Sequence, residues 1–184
     1  MELLQNDVLI VDQVTSFLSN DFAISDAHGR QIGHIHTEGS GLSRIFMGNR
    51  RFTVMDASGQ PVVLLDDVVS LGRDRMNILT PDGGRLAELV RKFTLFTPKF
   101  SLSLADGTEM QIDGNLMQRE YTLQTEQMGL IARISRSYQS FTKAFLGHER
   151  YSLEIASFVE PWMRATIIGT VIAVDLCRLK DQSD

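Results

Sequence analysis

Apolar and polar residues alternate along most of the chain in short runs that are separated by turn-forming residues. Alternation with a period of two is typical of β-strands that bury one face. Asp and Gly supply the side-chain hydrogen bonds and the positive φ angles that tight reversals need. The pattern of a run, an Asp or Gly turn and a second run occurs five times. It predicts antiparallel hairpins at residues 22–36, 52–65, 76–90, 100–112 and 121–134.

Residues 165–174 break this pattern, because they form the longest run without a charge. The run is apolar on every side and must be buried on every side, and it is about half as long as the roughly 20 residues of a membrane-spanning helix. Its many β-branched residues favour a strand. Pro161, placed for a first helical turn, and the basic Arg178 at the other end favour a helix. If the run is helical, Arg164 and Asp175 stand near the two ends of a buried cylinder.

The strands and the apolar run predict one closed domain. No linker or low-complexity tract divides the chain, so we expect a single domain over residues 1–184. Many strands in one domain leave edges that must be paired, and closure into a barrel pairs them all. A barrel of that size has more interior than its own side chains can fill. We therefore expect a mainly β protein whose barrel is plugged by residues 165–174.

Composition excludes several kinds of protein. The chain has 184 residues and a net charge of −5 at pH 7, which argues against a general nucleic-acid binder. Cys177 is the single cysteine, so an intrachain disulfide is excluded, and its place beside the apolar run predicts a buried thiol rather than a catalytic one. The N-terminal residues carry no legible export or lipid-anchoring signal, and the expected location is the cytoplasm.

Several short motifs occur in a fixed order from about Leu9 to Leu179. They are the turn from Asp26 to Gly29 followed by Gly33, its repeat from Asp56 to Gly59, Ile112-Asp-Gly114, and residues 130–135, 151–155 and 172–175. Together they resemble the LURP-one-related family of the Tubby C-terminal-like superfamily, to which phospholipid scramblases are related. The resemblance implies a closed antiparallel barrel of about twelve strands around a central C-terminal helix. Residues 165–174 would then be that helix, with its core formed by Ile167, Ile168, Val171, Ile172 and Val174.

The functional class that the residues favour is binding. Residues 91–100 mix cations with aromatic side chains, which suits a surface that contacts lipid head groups. The candidate head-group residues are Arg91, Lys92, Lys99, Arg133 and Arg136. The alternative is that these charges only protect strand edges from aggregation. Tubby-type domains bind phosphoinositides, so the resemblance implies a non-enzymatic binding or scaffold module for anionic phospholipids or a protein partner, cytoplasmic or peripheral to a membrane.

Two other functions stay open. The first is a scramblase-like membrane protein, although the chain lacks the proline-rich leader, the cysteine cluster and the acidic calcium loop of scramblases. The second is a small metal-dependent hydrolase, because His34 and His36 lie two apart on one predicted strand face and could hold a divalent ion. Polar residues at that spacing are also typical of any solvent-facing strand. No Gly-x-Ser-x-Gly nucleophile motif and no phosphate-binding Gly-Lys loop is present, and no cofactor is expected.

Overall fold

A computed structural model describes residues 1–13, 22–37, 50–70, 73–92, 99–136 and 149–181. Within these ranges, twelve strands form one closed antiparallel barrel. The strands are β1 (Val8–Gln13), β2 (Phe22–Asp26), β3 (Gln31–Thr37), β4 (Arg50–Asp56), β5 (Pro61–Ser70), β6 (Arg73–Leu79), β7 (Arg85–Lys92), β8 (Lys99–Leu104), β9 (Glu109–Asn115), β10 (Glu120–Thr125), β11 (Gly129–Arg136) and β12 (Glu149–Ile155). A 3₁₀ turn, Glu2–Leu4, precedes them and a helix, α1 (Pro161–Asp181), follows. Each strand pairs with its neighbours in sequence, and β12 pairs with β1, so the predicted mainly β closed barrel is confirmed.

The five predicted hairpins are present as β2–β3, β4–β5, β6–β7, β8–β9 and β10–β11. In the first of them, the Asp26 amide donates to the Arg30 carbonyl (2.9 Å) and the Gly29 amide donates to the Asp26 carbonyl (3.0 Å). Gly29 has a φ of +82°, which an L residue with a Cβ avoids. The same two backbone bonds close the turns at residues 56–60, 80–84 and 104–108.

These turns define the two ends of the barrel. We call the end with the hairpin turns at residues 26–30, 56–60, 80–84, 104–108 and 125–129 the turn end. The opposite end, where residues 116–119 connect β9 to β10, is the loop end. The chain leaves β12 at the turn end, so α1 begins there and runs through the barrel to the loop end over about 31 Å.

α1 fills the barrel. Its predicted core residues are each at most 1% exposed, and they are Ile167, Ile168, Val171, Ile172 and Val174. The helix that the resemblance implied is therefore confirmed, and the strand that β-branched propensity favoured is wrong. Propensity costs a few tenths of a kcal/mol per residue, whereas burying each of these side chains contributes about 1.5–3 kcal/mol.

The polar residues of α1 are also compatible with a helix. The hydroxyls of Thr166 and Thr170 donate to the carbonyls four residues earlier, at 2.9 and 2.8 Å, so neither buried hydroxyl lacks a partner. Gly169 lets the helix approach the wall, because a Cβ there would lie 2.7 Å from Cγ2 of Ile78 and 3.2 Å from Cγ2 of Val63. The helix thus packs closely on β5 and β6 at this point.

Candidate functional site

Arg164 holds the turn end together. The side chain is buried, and its guanidinium donates to the carbonyls of Val159 (2.8 Å), Asn6 (3.0 Å) and Ala156 (3.2 Å). It also forms an ion pair with Asp7. One side chain therefore ties the segment before β1 and the connection between β12 and α1 to the helix. Arg164 stands at this end of α1, as expected for a helical run, and its guanidinium bonds to groups of the protein.

A buried charge cluster of Arg119, Asp175 and Arg178 occupies the loop end. Asp175 Oδ1 accepts hydrogen bonds from Arg119 Nε at 3.0 Å and from Arg178 Nη1 at 2.9 Å. The three residues are between 3% and 5% exposed. Arg178 Nη2 donates to the Met117 carbonyl at 3.0 Å, and the Arg119 guanidinium lies 5.3 Å from the ring centroid of Tyr151. The cluster joins the β9–β10 connection to the end of α1.

The charge cluster is held under strain and is not fully hydrogen-bonded. Arg119 has a φ of +56°, a left-handed conformation that costs a non-glycine residue about 1–2 kcal/mol. Within the described ranges, Tyr151 Oη, Asp175 Oδ2 and Arg178 Nε are buried without a hydrogen-bond partner. Burial first, and then the negative charge of Asp175, raise the pKa values of Tyr121 and Tyr151 well above the ordinary tyrosine value. Both phenols are therefore neutral at physiological pH.

Three of the predicted head-group residues lie together at the loop end, where β7 finishes and β8 starts. Lys92 is directly opposite Lys99 in the strand register, and both side chains are exposed. No ion pair is formed by either lysine within the part of the chain that the structure describes. Arg91 is opposite Phe100 and lies 3.4 Å from the Asp74 carboxylate. The structure therefore places two facing cations and one paired cation on this edge.

The other two head-group candidates are separate from that edge. Arg136 is exposed at the loop end of β11, three strand spacings from β8, or about 14 Å along the wall. Arg133 is exposed halfway along β11 on the outer wall, opposite Thr122 and Glu154. The five candidates thus do not form one patch, and Arg133 is not at the loop end.

The two ends of the barrel carry opposite charge among the side chains that the structure describes. The turn end carries Glu2, Asp7, Asp26, Asp56, Asp82, Asp106, Glu109, Glu126 and Glu160 against Arg30, Arg85 and Arg164. The loop end carries Arg51, Arg75, Arg91, Lys92, Lys99, Arg119, Arg136, Arg150 and Arg178 against Asp12, Asp66, Asp67, Asp74, Asp113, Glu120 and Asp175. The turn end is therefore strongly acidic, whereas the loop end has a small excess of cations.

Several loop-end cations have acidic partners on the neighbouring strand. Arg51 pairs with Asp66 at 2.6 Å, and Arg150 pairs with Asp12, with Nη2 2.9 Å from Oδ2. Such cross-strand pairs on an outer wall stabilise the sheet by a few tenths of a kcal/mol each, up to about 1. They stabilise paired strands of a closed barrel, whose described strands leave no free edge for the charges to protect. Lys92 and Lys99 are different, because they face each other.

The candidate metal ligands and the cysteine lie apart. His34 is half-buried and His36 exposed on the outer face of β3, on either side of the inward-pointing Ile35. In the described ranges, no three His, Cys, Asp or Glu side chains are grouped so that they could hold a metal ion. Cys177 is buried on α1. No helix in those ranges is both long and apolar enough to cross a membrane.

Comparisons with known proteins agree with this geometry. A family model described as LURP-one-related matches residues 7–175. A phospholipid scramblase family protein of Schizosaccharomyces pombe is 27% identical over 168 residues, which take in 78% of this chain and 44% of that protein. The chain therefore spans less than half the length of this curated relative. The X-ray structure of a protein from Arabidopsis thaliana has a TM-score of 0.61 at 16% identity and covers 93% of each chain, which shows a shared fold.

Proposed function

The chain belongs to the LURP-one-related family, as its motifs predicted, and we propose that it is a non-enzymatic module that binds anionic phospholipid head groups with its loop end. The observation that carries this proposal is the facing pair Lys92 and Lys99, exposed on adjacent strands. Like charges directly opposite each other destabilise an antiparallel pair. An anion bound between the two ammonium groups relieves that repulsion, and a lipid phosphate is such an anion.

The charge difference between the ends supports an orientation. An anionic membrane surface attracts the basic loop end and repels the acidic turn end. Each Lys or Arg near such a surface contributes about 1 kcal/mol, and this attraction falls off within a Debye length of about 8–10 Å. With Lys92, Lys99 and the neighbouring Arg91 as the principal contacts, we expect weak peripheral binding that salt weakens. Arg136 adds to it from farther around the same end.

The comparisons support a lipid-related role without catalysis. The yeast relative's name associates it with phospholipid scramblases, and neither that name nor the family description denotes an enzyme. We further propose that residues 1–184 act as one domain. β1 pairs with β12 and α1 fills the barrel that this pairing closes, so early and late segments of the chain depend on each other.

The direct test is flotation of the full chain with vesicles. Phosphatidylcholine vesicles are compared with vesicles that also contain phosphatidylserine or a phosphoinositide, at low and high salt. We expect binding that needs anionic lipid and decreases with salt. Lys92→Glu/Lys99→Glu should weaken it by about tenfold or more, because two attractive cations become repulsive anions. Competition by a water-soluble inositol phosphate distinguishes head-group recognition from attraction to the surface as a whole.

A matched control distinguishes the effect of the loop-end site from the effect of net charge. Arg85→Glu/Arg133→Glu changes the net charge by the same amount, at the turn end and halfway along the wall, and should leave flotation within about twofold. Equal loss in both double variants would contradict the loop-end site. Binding that ignores both salt and lipid charge would indicate insertion, as expected for a scramblase-like membrane protein. Absence of binding to every vesicle would contradict the proposal.

A further inference from the structure

The turn end exposes large apolar side chains. Among the described residues, the exposed large hydrophobic side chains are Met1, Met117, Met128, Leu130, Phe158 and Trp162. All of them except Met117 lie at the turn end. Phe158 is 57% exposed and Trp162 is 50% exposed, although Phe and Trp side chains are highly buried on average. Single exposed apolar residues need no explanation, but several at one place mark an interaction surface.

One backbone contact places the segments that carry four of these residues side by side, and we call these four the apolar patch: Met128, Leu130, Phe158 and Trp162. The Ala156 amide donates to the Ile131 carbonyl at 2.9 Å, which fixes the segment after β12 beside the start of β11. Leu130 immediately precedes Ile131, and Met128 is in the adjoining turn. Phe158 lies in the turn that begins at Ala156, and Trp162, four positions later, is the second residue of α1.

The apolar patch is held in place before any partner arrives. Arg164, itself buried, donates to the carbonyls of Val159 and Ala156, the residues on either side of the turn that carries Phe158. The side chain of Val159 is buried beneath the turn. Surfaces that are rigid before binding lose less entropy on association. The geometry therefore favours a built surface over a chance exposure of apolar residues.

Two carboxylates flank the patch. Glu126, in the turn before β11, and Glu160, just before α1, are both exposed, and neither forms an ion pair in the described part of the chain. Arg164, the cation nearest to Glu160 in sequence, is buried and paired with Asp7. The acids on the loop-end wall are different, since Asp12 and Asp66 are paired with arginines.

We propose that the apolar patch is a docking site for a protein segment that carries aromatic or aliphatic side chains flanked by lysine or arginine. Such a segment complements both the apolar surface and the unpaired carboxylates. An anionic membrane does not, because Glu126 and Glu160 repel it. A symmetric contact with a second copy of this chain does not either, because the second copy would bring the same two carboxylates to the interface and no cation of the patch to pair with them. The proposal is independent of lipid binding at the loop end.

The test uses Trp162, which is the only tryptophan of the chain. A random peptide library is selected on the immobilised full chain and counter-selected on Leu130→Ser/Phe158→Ser. The enriched peptides should combine aromatic or aliphatic residues with lysine or arginine. Tryptophan-free synthetic versions should shift the Trp162 emission to shorter wavelength as they cover the ring. Their Kd should rise about tenfold or more in Glu126→Lys/Glu160→Lys, because two attractive charges become repulsive.

Lys92→Glu/Lys99→Glu is the matched control and should leave the peptide Kd unchanged, which keeps this site separate from the loop end. The substituted patch residues are exposed, so the melting temperature should stay within a few degrees of that of the unaltered chain. Enriched peptides without basic residues, or peptides that bind the serine variant equally, would overturn the proposal. A shift of the Trp162 emission produced by vesicles alone would also overturn the proposal, because it would indicate a membrane surface. A shift produced by raising the protein concentration would overturn it as well, because it would indicate self-association.

Discussion

The two ends of the barrel are stabilised in different ways. The hairpin turns of the turn end are closed by backbone bonds between residues only a few positions apart, as between Asp26 and Arg30, and Arg164 adds bonds to the distant Asn6 and Asp7. The loop end depends on a buried charge cluster in which Arg119 and Asp175 are separated by 56 positions. Loss of one local turn should leave its neighbours intact. Loss of the cluster should release the end of α1, because no other described ion pair joins α1 to the β9–β10 connection.

The largest effect should come from α1, since it connects the two ends. Ile168→Asp or Val171→Asp places an unpaired charge in a fully buried position and should cost several kcal/mol, comparable to the whole free energy of unfolding of a domain. We expect no cooperative thermal transition. Gln111→Asp, on an exposed outer position, is the control and should change the free energy of unfolding by less than about 1 kcal/mol. Normal folding of the α1 variants would disprove the central plug.

The next largest effect should distinguish the two ends directly. Asp175→Asn leaves two buried arginines without their carboxylate and should lower the free energy of unfolding by about 3–5 kcal/mol. At the turn end, Asp56 accepts bonds from the Ser58 amide (2.9 Å), the Ser58 hydroxyl (2.6 Å) and the Gln60 amide (3.0 Å). Asp56 is buried, but Ser58 and Gln60 are exposed, so water can replace its bonds to them, and Asp56→Ala should cost only about 1–2 kcal/mol. Urea unfolding of both variants measures the difference, and equal losses would contradict it.

The smallest effect should be on the pH dependence of the free energy of unfolding. The turn end should lose stability at low pH, and the loop end should lose it at high pH. The Ser58 hydroxyl lowers the pKa of Asp56, and the Thr108 amide lowers that of Asp106. A lowered folded-state pKa contributes stability above the unfolded value of about 4 and loses it as pH falls through the folded value. The raised pKa values of Tyr121 and Tyr151 have the reverse sign, so their contribution is complete below about pH 10 and is lost above it.

Variants can assign each pH limit to its end. Asp56→Asn should flatten the loss of unfolding free energy in acid, and Tyr151→Phe should flatten the loss in alkali, without changing the opposite limit. Denaturant unfolding across the pH range measures both slopes. If Tyr151→Phe left the alkaline loss of unfolding free energy unchanged, the buried phenol would not be the group that limits the stability of the loop end at high pH.

The turn end could be predicted from the sequence because its signals are local. The turn at 26–29 has Asp and Gly at the positions where the bond and the positive φ are needed, and the same holds at 56–59. Residues 165–174 were ambiguous on their own, because β-branched residues favour a strand in isolation while burial on all sides decides the outcome. Only the family resemblance resolved them.

The loop-end cluster and the apolar patch could not be predicted. Arg119 is the last residue of the turn at 116–119, and its partner is far away in sequence. Only the charge of Asp175 at the end of the apolar run indicated that a partner was needed. Phe158 and Trp162 are large apolar residues of the kind that is usually buried. Their exposure depends on how Arg164 fixes the segment after β12. Of the head-group candidates, Arg91, Lys92 and Lys99 lie together at the loop end because they are close in sequence, whereas Arg133 lies halfway along the wall.

The central claim is that the barrel meets an anionic membrane with its loop end while its turn end stays in water. The most direct measurement is the fluorescence of Trp162, about 28 Å along the helix from its loop-end terminus, in the full chain bound to anionic vesicles whose acyl chains carry bromine. We predict that the bound protein keeps the emission of an exposed tryptophan, that bromine does not quench it, and that acrylamide in the water does. Quenching of Trp162 by brominated lipid, with protection from acrylamide, would place the turn end in the membrane and contradict the account.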